Sequence, residues 1–178
     1  MSILVYVIGG LLAIIVFFLI VAIFVPKDFS VVKQVVIQKP KRIVFDYVKY
    51  LKNQDSYSKW GRIDPAMVKT FRGVDATVGF VSRWESKDKN VGIGEQEILK
   101  ITPDRIDYQL RFEKPWKSVS PSWMAFDAKS ETSCQVEWGF EGTMNYPMNL
   151  MLLFMNMEKT LGNDLQTGLN DLKKILEK

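Results

Sequence analysis

The chain has 178 residues, 47% of them hydrophobic and 25% charged, and its 24 Lys and Arg against 20 Asp and Glu leave a formal net charge of +4. That composition excludes a disordered chain and fits one folded domain of ordinary size, and its small, unclustered basic excess excludes a nucleic-acid footprint. With no histidine and Cys134 as the only cysteine, catalysis relayed through histidine, a zinc site on Cys and His ligands, and an intrachain disulfide are all excluded.

Ile3 to Val25 is an uninterrupted apolar run without a charged residue. At about 1.5 Å per helical residue it spans roughly 34 Å, enough for a hydrocarbon core of about 30 Å. No Lys or Arg precedes the run, and it ends at Phe24-Val25-Pro26 without a small-residue cleavage motif. The pattern therefore predicts a retained single-pass anchor rather than a cleaved secretory signal. Lys27, Lys33, Lys39, Lys41 and Arg42 all follow the run, which places the rest of the chain on the cytoplasmic side. The expected division is residues 1–26 as transmembrane anchor and 27–178 as the folded domain.

Val31 to Gln38 is a β-branched run that reads as a strand. Pro40 can open a helix, and Ile43, Val44, Tyr47, Val48 and Leu51 share one helical face. Asn53 to Asp64 is polar and turn-rich around Trp60. The period then becomes two. Strands are expected at 78–85, 95–101, 106–112, 122–128 and 134–143, with Thr102-Pro103-Asp104-Arg105 as a turn. Ile106, Tyr108, Leu110 and Phe112 lie on one face, as do Val136, Trp138 and Phe140. This describes an antiparallel meander with one wet face. Ile98 and Leu99 give opposed cues, so the inward face at Gln96 and Glu97 is left open. Gly92-x-Gly94 lies between strands with no helix after it, which excludes a nucleotide loop. No carboxylates have calcium-loop spacing, so no metal site is expected.

From about Pro147 the periodicity predicts one long amphipathic helix, with Phe154, Met155, Glu158, Leu161, Gly162, Leu165, Leu169, Leu172 and Leu176 along one stripe. Five of the eight methionines fall within 144–159, and the apolar part, about ten residues, is too short to span a bilayer.

The order strand, short helix, antiparallel sheet and long C-terminal helix resembles the START-like (SRPBCC) superfamily, in its polyketide cyclase/dehydrase-like branch. The matching stretches are Val36-Ile37-Gln38-Lys39-Pro40 with Val44-Phe45-Asp46-Tyr47-Val48, then Tyr57-Ser58-Lys59-Trp60 with Asp64-Pro65. Gly92-x-Gly94 with Ile98, Pro103-Asp104-Arg105-Ile106, Val136-x-Trp138 and Gly168-Leu169-x-x-Leu172-Lys173 follow in order, so the resemblance covers about residues 29–178. Tyr57 stands where relatives often carry tryptophan.

The resemblance implies an α+β helix-grip fold, an antiparallel sheet wrapped around the C-terminal helix with a cavity between them for an apolar ligand. It implies no particular reaction and no cofactor. On this reading the wall is formed by the sheet aromatics Trp84, Tyr108, Trp138 and Phe140, with Met151 and Met155 as adjustable apolar surface. Gly162 would leave volume, and Glu158, on the inward stripe, would meet a polar ligand head or pair with an Arg such as Arg83 or Arg111. The expected partner is a hydrophobic small molecule or lipid, beside a membrane engaged through residues 3–25. A cyclase or dehydratase acting on an aromatic or polyketide-type substrate is the alternative.

Overall fold

The computed structural model describes residues 2–178. Helix α1 (Ser2–Phe24) is the apolar run, and almost all of it stands clear of the rest of the protein. Only its C-terminal end is covered, at Ala22. The helix is long and apolar enough to cross a membrane.

Beyond it, β1 (Asp28–Ile37) leads into α2 (Lys41–Val48), whose Val44 and Val48 are buried. A short 3₁₀ turn and two single-turn helices follow, α3 (Gln54–Tyr57) and α4 (Trp60–Ile63). The polar stretch around Trp60 is therefore helical. Next come β2 (Val68–Arg72), β3 (Val81–Glu85), β4 (Ile93–Thr102), β5 (Arg105–Lys114), β6 (Ser118–Ser130) and β7 (Ser133–Thr143).

These strands form one antiparallel sheet in the order β1-β7-β6-β5-β4-β3-β2. Among the described residues, the only neighbours that are not consecutive are β1 and β7, paired from Asp28–Thr143 to Ile37–Cys134. The periodicity missed β2. Four of its five residues are exposed, so neither face is apolar enough to declare itself. The inward faces predicted for β5 and β7 are the observed ones.

Helix α5 (Met157–Leu176) buries Gly162, Leu165, Gly168, Leu169 and Leu172. Each leucine that is fully covered contributes roughly 1.5–3 kcal/mol. The helix also covers the open edge of the sheet. Gln166 donates to the Gln34 carbonyl, Lys173 donates to the Val36 carbonyl, and Glu177 accepts from the Gln38 amide. Those edge groups would otherwise be a template for another strand. Lys59 pairs with Asp164 and Arg62 with Asp171, tying the α3–α4 region to the helix.

The single long helix expected from Pro147 is divided. Met148–Leu153 is a 3₁₀ segment, and α5 begins only after Asn156, whose side chain accepts a 2.8 Å hydrogen bond from the Lys159 amide. An asparagine cap of this kind starts a helix regardless of the apolar pattern before it. The cavity and the inward stripe therefore draw on α5 from Leu161 onward.

Candidate functional site

A cavity of about 210 Å³ lies between the sheet and α5. Trp84, Phe112, Trp138 and Phe140 supply its aromatic wall, and Leu110, Leu161 and Leu165 its aliphatic one. Trp60 and Met67, from the connection between α2 and β3, close it from the side. The residues meet because β3, β5 and β7 send alternate side chains inward, and the α3–α4 region folds back over the same face.

The wall also carries polar groups. Ser82 and Gln96 line the cavity and are buried in the protein, and among the described residues neither side chain has a hydrogen-bond partner within the chain. Their polar atoms are not sealed in the core, where Asn149 Oδ1 is the one buried side-chain polar atom without a partner among the described residues, so both are open to a polar atom in the cavity. Ser122, also on the wall, is already engaged, donating to the Gly139 carbonyl at 2.8 Å. Asp55 and Lys69 form an ion pair at the cavity, and Asn90, exposed to solvent, marks where it reaches the surface.

The inward face of β4, open in the sequence, is that of Gly94, Gln96 and Ile98. Ile98 is opposite Tyr108 and Lys100 opposite Asp107, which leaves Leu99 as an extra, unpaired residue. This β-bulge changes the alternation and accounts for the opposed cues. Glu95 and Glu97 point outward, where both pair with Arg111, while Arg83 pairs with Glu85 and Glu113.

Of the eight residues predicted for the site, the structure brings three together on the cavity wall: Trp84, Trp138 and Phe140. Tyr108 is inward but packed in the core below. Burial pushes the phenols of Tyr108 and Tyr57 up, and neither lines the cavity, so neither is a proton donor for it. Met151 and Met155 are exposed because the helix that was to carry them inward is broken before Met157. Gly162 is buried, but the position of its missing Cβ faces Val31 and the end of the Lys33 side chain. It makes room for β1, away from the cavity.

Glu158 is displaced from the inward stripe for the same reason. It lies in the first turn of α5 with its side chain 59% exposed, paired with Lys33 rather than with Arg83 or Arg111. An exposed pair of this kind contributes about 0–1 kcal/mol. Glu158→Gln is therefore expected to lower stability by less than about 1 kcal/mol and to leave ligand affinity unchanged, measured by denaturant unfolding and probe titration.

Trp60, Ser82, Gln96, Leu110, Phe112, Leu161, Leu165 and the Asp55–Lys69 pair were not among the predicted residues. Alternation in β5 carried the signal for Leu110 and Phe112. Nothing in the sequence announces that residues 55 and 69 meet. Cys134 is fully buried on β7, outside the cavity, and burial pushes its thiol up. In the folded protein it should stay unmodified by a maleimide at neutral pH, and it should react once denaturant unfolds the chain, a difference that mass spectrometry reads directly.

No protein-family model matches the sequence, and no curated protein matches it. Several solved structures are similar in fold. The di-domain ARO/CYC StfQ from the steffimycin biosynthetic pathway superposes with a TM-score of 0.61 at 9% identity over 85% of this chain and 51% of that one. Norcoclaurine synthase from Thalictrum flavum, in complex with dopamine and hydroxybenzaldehyde, gives 0.60 at 7% identity over 84% of this chain and 86% of its own. Ara h 8.0201 gives 0.56 at 9% identity over 84% and 97%. At such identities the likeness is one of architecture: the chain has the α+β helix-grip fold, a seven-stranded antiparallel sheet closed by a C-terminal helix.

Proposed function

We propose that the protein is a membrane-anchored binding protein whose helix-grip domain, residues 27–178, holds a small apolar molecule with one polar group. The observation that carries this reading is the cavity, with an aromatic wall and the unpaired amide and hydroxyl of Gln96 and Ser82. Size narrows the ligand class. An apolar cavity of about 150 Å³ holds benzene, whereas pockets for drug-sized molecules begin at about 300 Å³. A space of 210 Å³ suits a one- or two-ring aromatic molecule better than a two-chain lipid. The single-ring molecules bound by the Thalictrum enzyme agree in kind.

Residues 1–26 serve in this proposal as the retained anchor. Support comes from Asn149, fully buried, whose amide donates to the carbonyls of Ala22 and Val25 at 2.7 and 2.8 Å. A cleaved signal would leave that side chain and the apolar residues around it without their partner. The basic residues after α1 favour a cytoplasmic domain. A fluorescent protein fused after Lys178 should then be bright in cells, and N-terminal sequencing should begin at the first residues. A dark fusion with an active export reporter would reverse the topology.

The second reading, a cyclase or dehydratase, is favoured by one observation. Among the described residues, Asp55 and Lys69 are the only ionisable side chains lining the cavity, and a positioned ionisable side chain can carry proton transfer. In that case Lys69→Met would abolish turnover and keep binding. The test common to both readings uses the full chain in lipid nanodiscs: mass spectrometry of co-purifying small molecules, followed by titration of an apolar fluorescent probe. An empty cavity that takes up no probe would rule out both.

A further inference from the structure

The methionine-rich segment before α5 has neither the spanning length nor the cavity position that would explain its composition. Sixteen residues, Gly142 to Met157, carry no charge, and Leu153 and Phe154 are 55% and 78% exposed. In a 3₁₀ turn, residues three apart stack on one side. Met148, Met151 and Phe154 thus form one exposed apolar row, with Asn149 buried on another side of the segment.

The position of Asn149 sets the height of that row. The last carbonyls of a helix have no partner inside it. Here the Asn149 side chain binds two of those at the end of α1, from Ala22 and Val25. The segment is therefore held level with the final turn of α1. Ile23 and Phe24 expose apolar side chains at the same level, and Lys27 follows immediately.

We infer that Met148–Met155 is a second membrane contact, a non-spanning segment seated at the headgroup–acyl boundary beside the end of α1, with the lipid bilayer as its occupant. The inference rests on the reading that α1 spans the membrane. The bilayer is the occupant because the exposed row continues a surface that already lies in lipid. Its length and lack of charge match an interfacial segment rather than a span. A single helix would let the domain swing about Pro26. Two contacts clamped together by Asn149 set its orientation on the membrane, with the sheet and cavity held at one angle to the surface.

The test uses the full-length protein carrying Cys134→Ala and one new cysteine, at Phe154, at Thr132 or at Ile14, labelled with an environment-sensitive fluorophore. Thr132 lies in the β6–β7 turn, at the far end of the sheet. The proteins are reconstituted in phosphatidylcholine vesicles containing a minority of phosphatidylglycerol, with nitroxide lipids as quenchers. The Phe154 label should emit further to the blue than the Thr132 label and lose at least about twofold more intensity to a nitroxide near the top of the acyl chain, as an interfacial side chain does. The Ile14 label should respond to a nitroxide deep in the chain. Quenching at Ile14 but not at Phe154 would overturn the inference and leave the anchor standing, whereas no quenching at Ile14 would remove the anchor and the inference with it. A blue shift at Phe154 that depends on protein density and is insensitive to nitroxide lipid would assign the row to a second copy of the chain and overturn the proposal. A Met151→Cys label, on the same row, guards against a local effect of the Phe154 substitution and must behave alike.

Discussion

Ser82→Phe should weaken binding of an apolar probe by at least about tenfold, a loss of about 1.4 kcal/mol, and leave the unfolding midpoint unchanged or higher. Ser82 sits on β3 with its side chain on the cavity wall, between Phe71 and Gln96 in the register. Its hydroxyl has no partner among the described residues, so removing it breaks no hydrogen bond. Because about 150 Å³ accommodates a benzene molecule, a phenylalanine ring would occupy most of the 210 Å³ available. Filling a void gains packing contacts, whereas forcing a ring into a filled core typically costs about 1–3 kcal/mol. Thermal unfolding paired with probe titration separates the two. Lower stability with unchanged probe uptake would mean that the space is not the binding site. Gly162→Leu and Met155→Phe, which the sequence alone would suggest for filling the cavity, point at Lys33 and at solvent respectively, so both should leave binding unaffected.

Trp138→Ala should be the most damaging single substitution in the wall, at about 3–5 kcal/mol. For a domain whose net stability is about 5–15 kcal/mol, that is a large share. Trp138 is almost fully buried on β7. It meets Tyr57 edge-on at 5.9 Å and Trp60 at 6.5 Å between ring centres, joining the sheet to the α3–α4 region. Its ring also reaches α5, where a Cβ added at Gly168 would lie 2.8 Å from Trp138 Cζ3. One side chain therefore holds three parts of the grip together. Urea unfolding should show the full loss for Trp138→Ala and a smaller one for Trp138→Phe, which keeps part of the contact. Gly168→Ala should also destabilise, although alanine is favoured within a helix by up to about 1 kcal/mol, because the added methyl would meet Trp138 Cζ3 at 2.8 Å and the Tyr57 carbonyl at 3.4 Å, and the Trp138 ring is held edge-on by Tyr57 and Trp60. If both Trp138 variants unfold like the parent, the junction is not where the domain is held together.

Elements with strong local patterns were legible without tertiary information. The apolar run of α1 identifies itself by length alone. The inward faces of β5 and β7 follow from strict alternation, because an antiparallel strand with one wet face repeats every two residues. The leucines at 165, 169 and 172 announce the buried stripe of α5 in the same way. Local pattern failed where two signals competed within a few residues. At Leu99 a bulge inserted one residue into the alternation, and at Asn156 a cap restarted the helix in the middle of an apolar stretch.

Periodicity and composition, which are properties of neighbouring residues, determined the apolar helix, the strands and their inward faces. The helix-grip fold class and the expectation of an aromatic cavity wall came from the resemblance carried by the ordered motifs. Only the tertiary structure decided which side chains share the cavity. It separated Glu158 and the methionines from that cavity, brought Asp55 to Lys69, and carried Asn149 to the end of α1, a contact across 127 positions of the chain. Such contacts arise from chain reversal and strand register, so their cause is not written in the residues adjacent to either partner.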